Sequence, residues 1–150
     1  MKKLSMIIAV MCMMISPMMQ LQAQGVAADS ILGTYINEDL DELKIYKKDN
    51  KFLVEFVELK VPIDPETGKP KLDKLNPDPM LRTRPIKGLT FLKDCVFMQG
   101  EWKDGEIYDY KKGKTRKCFM KFPDVNNLER LRVTTVLPLF NKTSYWTKKK

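Results

Sequence analysis

The 150-residue chain contains no histidine. That absence removes the Ser-His-Asp triad and every His-ligated metal site. Cysteine is nearly as scarce, with three in all. Cys12 lies in the N-terminal apolar segment, which leaves Cys95 and Cys118, too few for a four-cysteine site. No acidic run has the regular spacing and terminal Glu of a calcium loop. No stretch reaches the about 20 apolar residues that a membrane-crossing helix needs. The longest runs from Leu4 to Ile15 and falls short. Beyond it no sustained helical period occurs, so helices are not the basis of the fold. A metal, a cofactor and a transmembrane segment are therefore not expected.

What the chain does have begins with "MKKLSMIIAVMCMMIS". Lys2 and Lys3 form a basic start, Leu4 to Ile15 an apolar middle, and Pro17 with "LQAQGVAA" a small-residue end. This is the pattern of a secretory signal peptide. It is expected to span 1–23 and to be cleaved, leaving 24–150 as a single domain. Ala28, with Val26 before it, offers a second cleavage point. Cys12 follows bulky Met11 inside the apolar segment, which does not suit acylation, so a lipoprotein is not expected. The protein is expected in the periplasm or outside the cell, where disulfides form. Cys95 and Cys118 nonetheless read as free thiols. A strand lies between them, which separates their Cα atoms by about 9–10 Å, and a bridge needs about 7 Å or less.

After the leader come short alternating runs broken by turn residues, the pattern of an all-β fold. "GTYIN", "ELKIYKK", "KFLVEFVEL", a segment from Ile86 through "GLTFL", "EWKDGEIYD", "KTRKCFMKF", "LERLRVTTV" and "KTSYWTKK" give eight strands. Asp49-Asn50 makes a two-residue hairpin turn between the second and third. Connections are mostly short, which predicts an eight-stranded antiparallel meander, and such a meander loses its edges by closing into a barrel. Phe52, Val54, Phe56, Phe91, Met120 and Phe122 are the candidate barrel lining. A barrel of this size is either filled by side chains or holds one small ligand, and these residues fit both. Trp102 and Trp146 would report a ligand, since at least one is placed near a barrel end.

The long connection, Lys60 to Pro85, is the exception to short loops. Asn76 suits a helix N-cap and Pro77 the first helical position, so one short helical turn is predicted. Met80 and Leu81 would then face the barrel as a stopper. Arg82 and Arg84 would lie beside Asp73 and Asp78, each guanidinium able to grip a carboxylate. Arg82, Arg84, Asp73, Asn76 and Asp78 are the candidate loop-anchoring or ligand-binding residues.

The order "ILGTY", "DKLNPDPMLRTRPIKGL", "GEWKDGEIYD", "GKT", "LRV" and "LFNKTSYWTK" resembles an exported bacterial family catalogued as domain of unknown function 2147. The most specific positions are Asp73, Asn76, Pro77, Asp78, Leu81, Arg82, Arg84, Pro85 and Gly88. Trp102, Gly105, Ile107, Tyr108, Asp109, Gly113 and Lys114 follow. Tyr35, Tyr110 and Val133 depart from the family's usual Trp, Pro and Gly. The resemblance implies a lipocalin-like (calycin) barrel and an exported protein, and it implies no activity.

The carboxylate pairs Asp39 with Asp41, Asp64 with Glu66, and Asp73 with Asp78 are the only residues suited to acid–base hydrolysis, and they are equally ordinary turn residues. "KGKT" is not a phosphate loop, because Tyr108 stands where the first glycine is required. The basic run "YKKGKTRK" reads as a solvated hairpin whose lysines discourage edge pairing. Export makes nucleic acid an unexpected partner. The sequence thus leads to an exported, non-enzymatic lipocalin-like barrel that binds a small apolar or amphipathic molecule. The alternatives are a structural or protein-interaction barrel with a filled interior in the cell envelope and, more weakly, a carboxylate-dependent envelope hydrolase.

Overall fold

The computed structural model describes residues 25–150, so the signal peptide read over 1–23 lies outside the described residues. Eight strands follow in chain order: β1 (Gly33–Ile36), β2 (Glu42–Lys48), β3 (Lys51–Glu58), β4 (Thr90–Met98), β5 (Glu101–Asp109), β6 (Lys114–Lys121), β7 (Arg130–Val136) and β8 (Asn141–Lys148). Each pairs antiparallel with its neighbours in sequence, and the sheet closes into a barrel. The expected eight-stranded meander is the observed architecture. Its seam is short: Tyr35 stands opposite Lys148 and Ile36 opposite Thr147. Among the described residues, no helix is long and apolar enough to cross a membrane.

Local chemistry sets these elements. Asp49 and Asn50 take φ of 51° and 59°, the pair of positive angles that matches a two-residue turn to the twist of its strands. In β3, Phe52, Val54 and Phe56 are buried while Leu53, Glu55 and Val57 are only partly so, the period-2 signature of a strand with one face inward. The fourth strand departs from its sequence reading. It starts at Thr90 rather than Ile86 and runs on to Met98. Gly88, at φ 81°, first donates its N–H to the Phe56 carbonyl at 2.7 Å, so the chain turns before it joins the ladder. Two irregularities follow. Val54 faces Leu92 but Glu55 faces Thr90, which makes Phe91 an extra residue. The second lies between the Phe52–Cys95 and Val54–Leu92 pairs and contains Asp94 at φ 64°. These bulges bury Phe91, Leu92 and Cys95 together, a pattern without period 2.

In a meander, alternate connections lie at opposite ends of the barrel. The end holding the β2–β3, β4–β5 and β6–β7 turns is closed. Trp102 fills it, with Phe52, Phe97 and Phe122 around its ring at centroid distances of 6.2, 5.0 and 5.7 Å. Each such ring withdrawn from water stabilises the fold by about 1.5–3 kcal/mol. A 3₁₀ turn, Ala28–Ile31, covers this end. The Trp102 indole donates to the Ala28 carbonyl at 3.2 Å, and the Tyr35 hydroxyl donates to the Ile31 carbonyl at 2.9 Å. Burial pushes the Tyr35 pKa up.

The stopper is therefore the N-terminal turn and not the long loop. Met80 is 85% exposed and Leu81 is also exposed, so neither faces the barrel. The helical turn in the loop exists as a 3₁₀ turn over Pro79–Leu81, capped by Asp78 rather than Asn76. Asp-Pro and Asn-Pro satisfy the same capping rule two residues apart. The Asn76 side chain is engaged elsewhere, donating to Asp73 and accepting from the Asp78 N–H.

Cys95 and Cys118 are buried and free. They sit on β4 and β6, either side of Gly105 on β5. With no side chain at 105, both sulfurs lean into its space. A Cβ there would overlap the Cys95 sulfur and stand 2.9 Å from that of Cys118. The hydrogen bond to Cys95, followed by burial, pushes the Cys118 pKa up, which keeps it a thiol and unreactive.

Candidate functional site

Two arrangements meet at the open end. The first is a clamp centred on Asp73, which is fully buried. Its Oδ1 accepts from the Tyr108 hydroxyl at 2.6 Å. Its Oδ2 accepts from Asn76 Nδ2 at 2.8 Å, Arg84 Nε at 2.9 Å and Arg84 Nη2 at 2.8 Å. A buried carboxylate is tolerable only when satisfied in this way. The Asp73 N–H also donates to the Arg84 carbonyl at 3.0 Å, which closes the loop on itself. Desolvation, reinforced by the bond to Asp73, pushes the Tyr108 pKa up to about 12. Next to the clamp, the Leu75 carbonyl lies so close to Gly113 that a Cβ there would overlap it. The loop is thus strapped to the outer side of the β5–β6 hairpin.

The second is a cavity of about 470 Å³, within the about 300–1,000 Å³ of ordinary small-molecule sites. Its floor and one wall are aromatic. Phe56 lines it with Tyr110, their rings 5.7 Å apart and edge to face. Phe91 stacks on Phe56 at 4.2 Å, and Trp146 stands 6.0 Å from Phe91. Across the barrel, Lys114 and Arg116 of β6 and Lys142 of β8 line it, with Thr135 and Ser144 adding hydroxyls. Ile107 pairs with Arg116 across the β5–β6 ladder. Leu137 to Phe140 form the lip.

The carboxylates at this mouth already have partners. Asp39 pairs with Lys111 at 2.8 Å, a bond that raises the Lys111 pKa. Asp41 accepts from the Lys60 N–H at 3.0 Å and from Asn37 Nδ2 at 3.3 Å. Asp109 accepts from the Lys111 N–H at 3.0 Å. Lys114, Arg116 and Lys142 form no ion pair among the described residues, and no group of three or more metal-ligating side chains is found among those residues.

The structure thus separates the two sets of residues singled out from the sequence. Arg82, Arg84, Asp73, Asn76 and Asp78 belong to the loop and its clamp, and none lines the cavity. Arg82 does not meet Asp78; its Nε donates to the Asn76 carbonyl at 2.8 Å, while Asp78 caps Met80 at 2.9 Å. Of Phe52, Val54, Phe56, Phe91, Met120 and Phe122, all are core, and only Phe56 lines the cavity. Sequence reading missed Tyr108 as an Asp73 partner. It also took "YKKGKTRK" as solvated throughout. The lysines of that run are exposed, but the alternation that turns Cys118, Met120 and Phe122 inward also puts the half-buried Arg116 on that face, with the exposed Lys114 at its rim, and that was the available signal.

A family model described as an uncharacterized protein conserved in bacteria (DUF2147) matches residues 33–148. The chain belongs to this family. The match spans every strand of the barrel, both halves of the Asp73 clamp and the whole cavity wall. Among solved structures, protein HP1028 from the human pathogen Helicobacter pylori, described as belonging to the lipocalin family, is similar at 26% identity and a TM-score of 0.66. The similarity covers 80% of this chain and 83% of that one. Comparison with curated proteins finds no match. The DUF2147 barrel here is accordingly lipocalin-like.

Proposed function

We propose that this protein is an exported, non-enzymatic barrel that binds one small apolar or amphipathic molecule in its open end. The observation that carries the reading is the asymmetry of the interior. One end is packed by Trp102, Phe52 and Phe122, whereas the other keeps a cavity of about 470 Å³ with an aromatic wall. A similar protein described as a lipocalin supports it. Non-enzymatic action is supported by the mouth carboxylates, each held by a lysine, an asparagine or a backbone N–H. Export rests on the leader pattern. Cleavage after Ala23 fits the fold better than cleavage after Ala28, because the Ala28 carbonyl accepts from the Trp102 indole.

Native mass spectrometry of protein recovered from its own host tests the binding. A stoichiometric co-purified small molecule is the expected result. An unliganded protein that also fails to respond to a panel of apolar dyes would favour the filled, structural barrel. N-terminal sequencing of fractionated cells tests export, with Gln24 the expected first residue and an intact Met1 in the cytoplasm the contrary one.

A further inference from the structure

We infer that the ligand is an anionic amphiphile, an apolar body bearing a carboxylate or similar acid, whose charge is received by Arg116 with Lys114 and Lys142. This rests on the binding reading above and adds the ligand's charge and orientation. Arg116 is half-buried on the inward face of β6, paired in register with Ile107. The Arg116 guanidinium stays accessible to water in the cavity yet meets no carboxylate, so an anion entering there gains a charge-assisted partner. Among the described residues no carboxylate pairs with it: of the three that line the same cavity, Asp39 is paired with Lys111, and Asp41 and Asp109 accept from backbone N–H groups. Lys114 and Lys142 stand on the same wall and add positive charge. The Thr135 and Ser144 hydroxyls line it too and offer neutral hydrogen bonds.

The rest of the cavity specifies the other half of the molecule. Phe56, Tyr110 and Ile107 offer apolar surface, and the charged groups of the whole lining, Asp39, Asp41 and Asp109 against Lys111, Lys112, Lys114, Arg116 and Lys142, leave it net positive. An inorganic anion alone would leave this surface wetted, and a neutral hydrocarbon would leave Arg116 without a partner. A ligand with both parts satisfies both walls. The planar fork of Arg116 suits a two-oxygen acid better than a point charge does.

The test compares three probes of equal chain length, dodecanoate, dodecan-1-ol and dodecylammonium, by calorimetry and by the emission of Trp146, which is adjacent to Phe91. Dodecanoate is expected to bind about tenfold or more tighter than the alcohol, and the ammonium weakest. In Arg116→Gln the acid-to-alcohol preference should collapse, and Arg116→Lys should restore part of it. Salt should weaken the acid more than the alcohol. If acid and alcohol bind equally, or the Arg116→Gln preference is unchanged, the charge assignment is wrong while the binding reading stands. If none of the three binds, both fail. Tight binding of acetate in competition would overturn the amphiphile in favour of a small-anion site.

Discussion

Asp73, Arg84 and Tyr108 show what a single residue does when its neighbours are fixed. Arg84→Ala leaves a buried carboxylate with only Asn76 and Tyr108, which should cost about 2 kcal/mol and lower the melting temperature by several degrees. Arg82→Ala removes one bond to a carbonyl and should cost under about 1 kcal/mol. Equal melting shifts for the two would contradict the clamp. Tyr108 gives the clamp a pH dependence. Its folded pKa, about 12, lies above the ordinary tyrosine value, so the folded state holds its proton more tightly than the unfolded one. The stabilisation is complete below about pH 10 and is lost as pH rises toward 12. Tyr108→Phe should flatten that part of the stability profile, read by denaturant melts at successive alkaline pH values. Gly105 is held by sterics alone. Gly105→Ala drives a methyl into the Cys95 sulfur and should cost about 1–3 kcal/mol. Cys95→Ala in the same chain should recover part of it, and additive losses would refute the contact.

Elements explain where sequence reading succeeded and where it stopped. β2, β3 and β6 were legible because their inward residues alternate and their turns carry Asn, Asp or Gly, and β5 was legible despite a bulge between Trp102 and Gly105. β4 was not, because Phe91 and Asp94 are extra residues whose insertion breaks the alternation that identifies a strand. The 3₁₀ turn was legible in kind and misplaced by two residues, since two successive Asx-Pro pairs satisfy one capping rule. Met80 and Leu81 misled through their apolarity. Exposed apolar residues are ordinary, and composition cannot say which side of a loop meets the barrel. The cationic wall escaped because lysine-rich hairpins usually face water, and only the strand period placed Arg116 inward. Gly113 ties loop to hairpin and makes the coupling testable. Gly113→Ala would meet the Leu75 carbonyl and must also hold φ near 63°, a strained angle for alanine. The loop should lift from β5, seen as faster amide exchange from Asp73 to Arg84. Unchanged exchange there would separate the loop from the hairpin.

The whole molecule is a cylinder with a sealed base and an open mouth. Trp102 and the Ala28–Ile31 turn set the base, while the clamp holds the β5–β6 hairpin that supplies Lys114 and Arg116 to the mouth. Base and mouth do not share residues, so substitutions at Arg116 are expected to alter binding with little effect on melting, and those at Trp102 the reverse. That architecture was predictable from eight short strands; the dimensions of the cavity were not, because volume depends on how bulges aim particular rings. The seam carries one more consequence. All other pairings join strands adjacent in the chain, but the second edge of β1 is paired only by β8, across more than a hundred residues between Tyr35 and Lys148. A ribosome or a secretion pore delivers the chain in order, so β1 emerges early and waits. Throughout that interval the nascent sheet is an unclasped ribbon with two raw borders, each able to recruit a strand from a neighbouring copy. The price of an edgeless mature fold is a window in which crowding of nascent chains, rather than heat or denaturant, is the hazard.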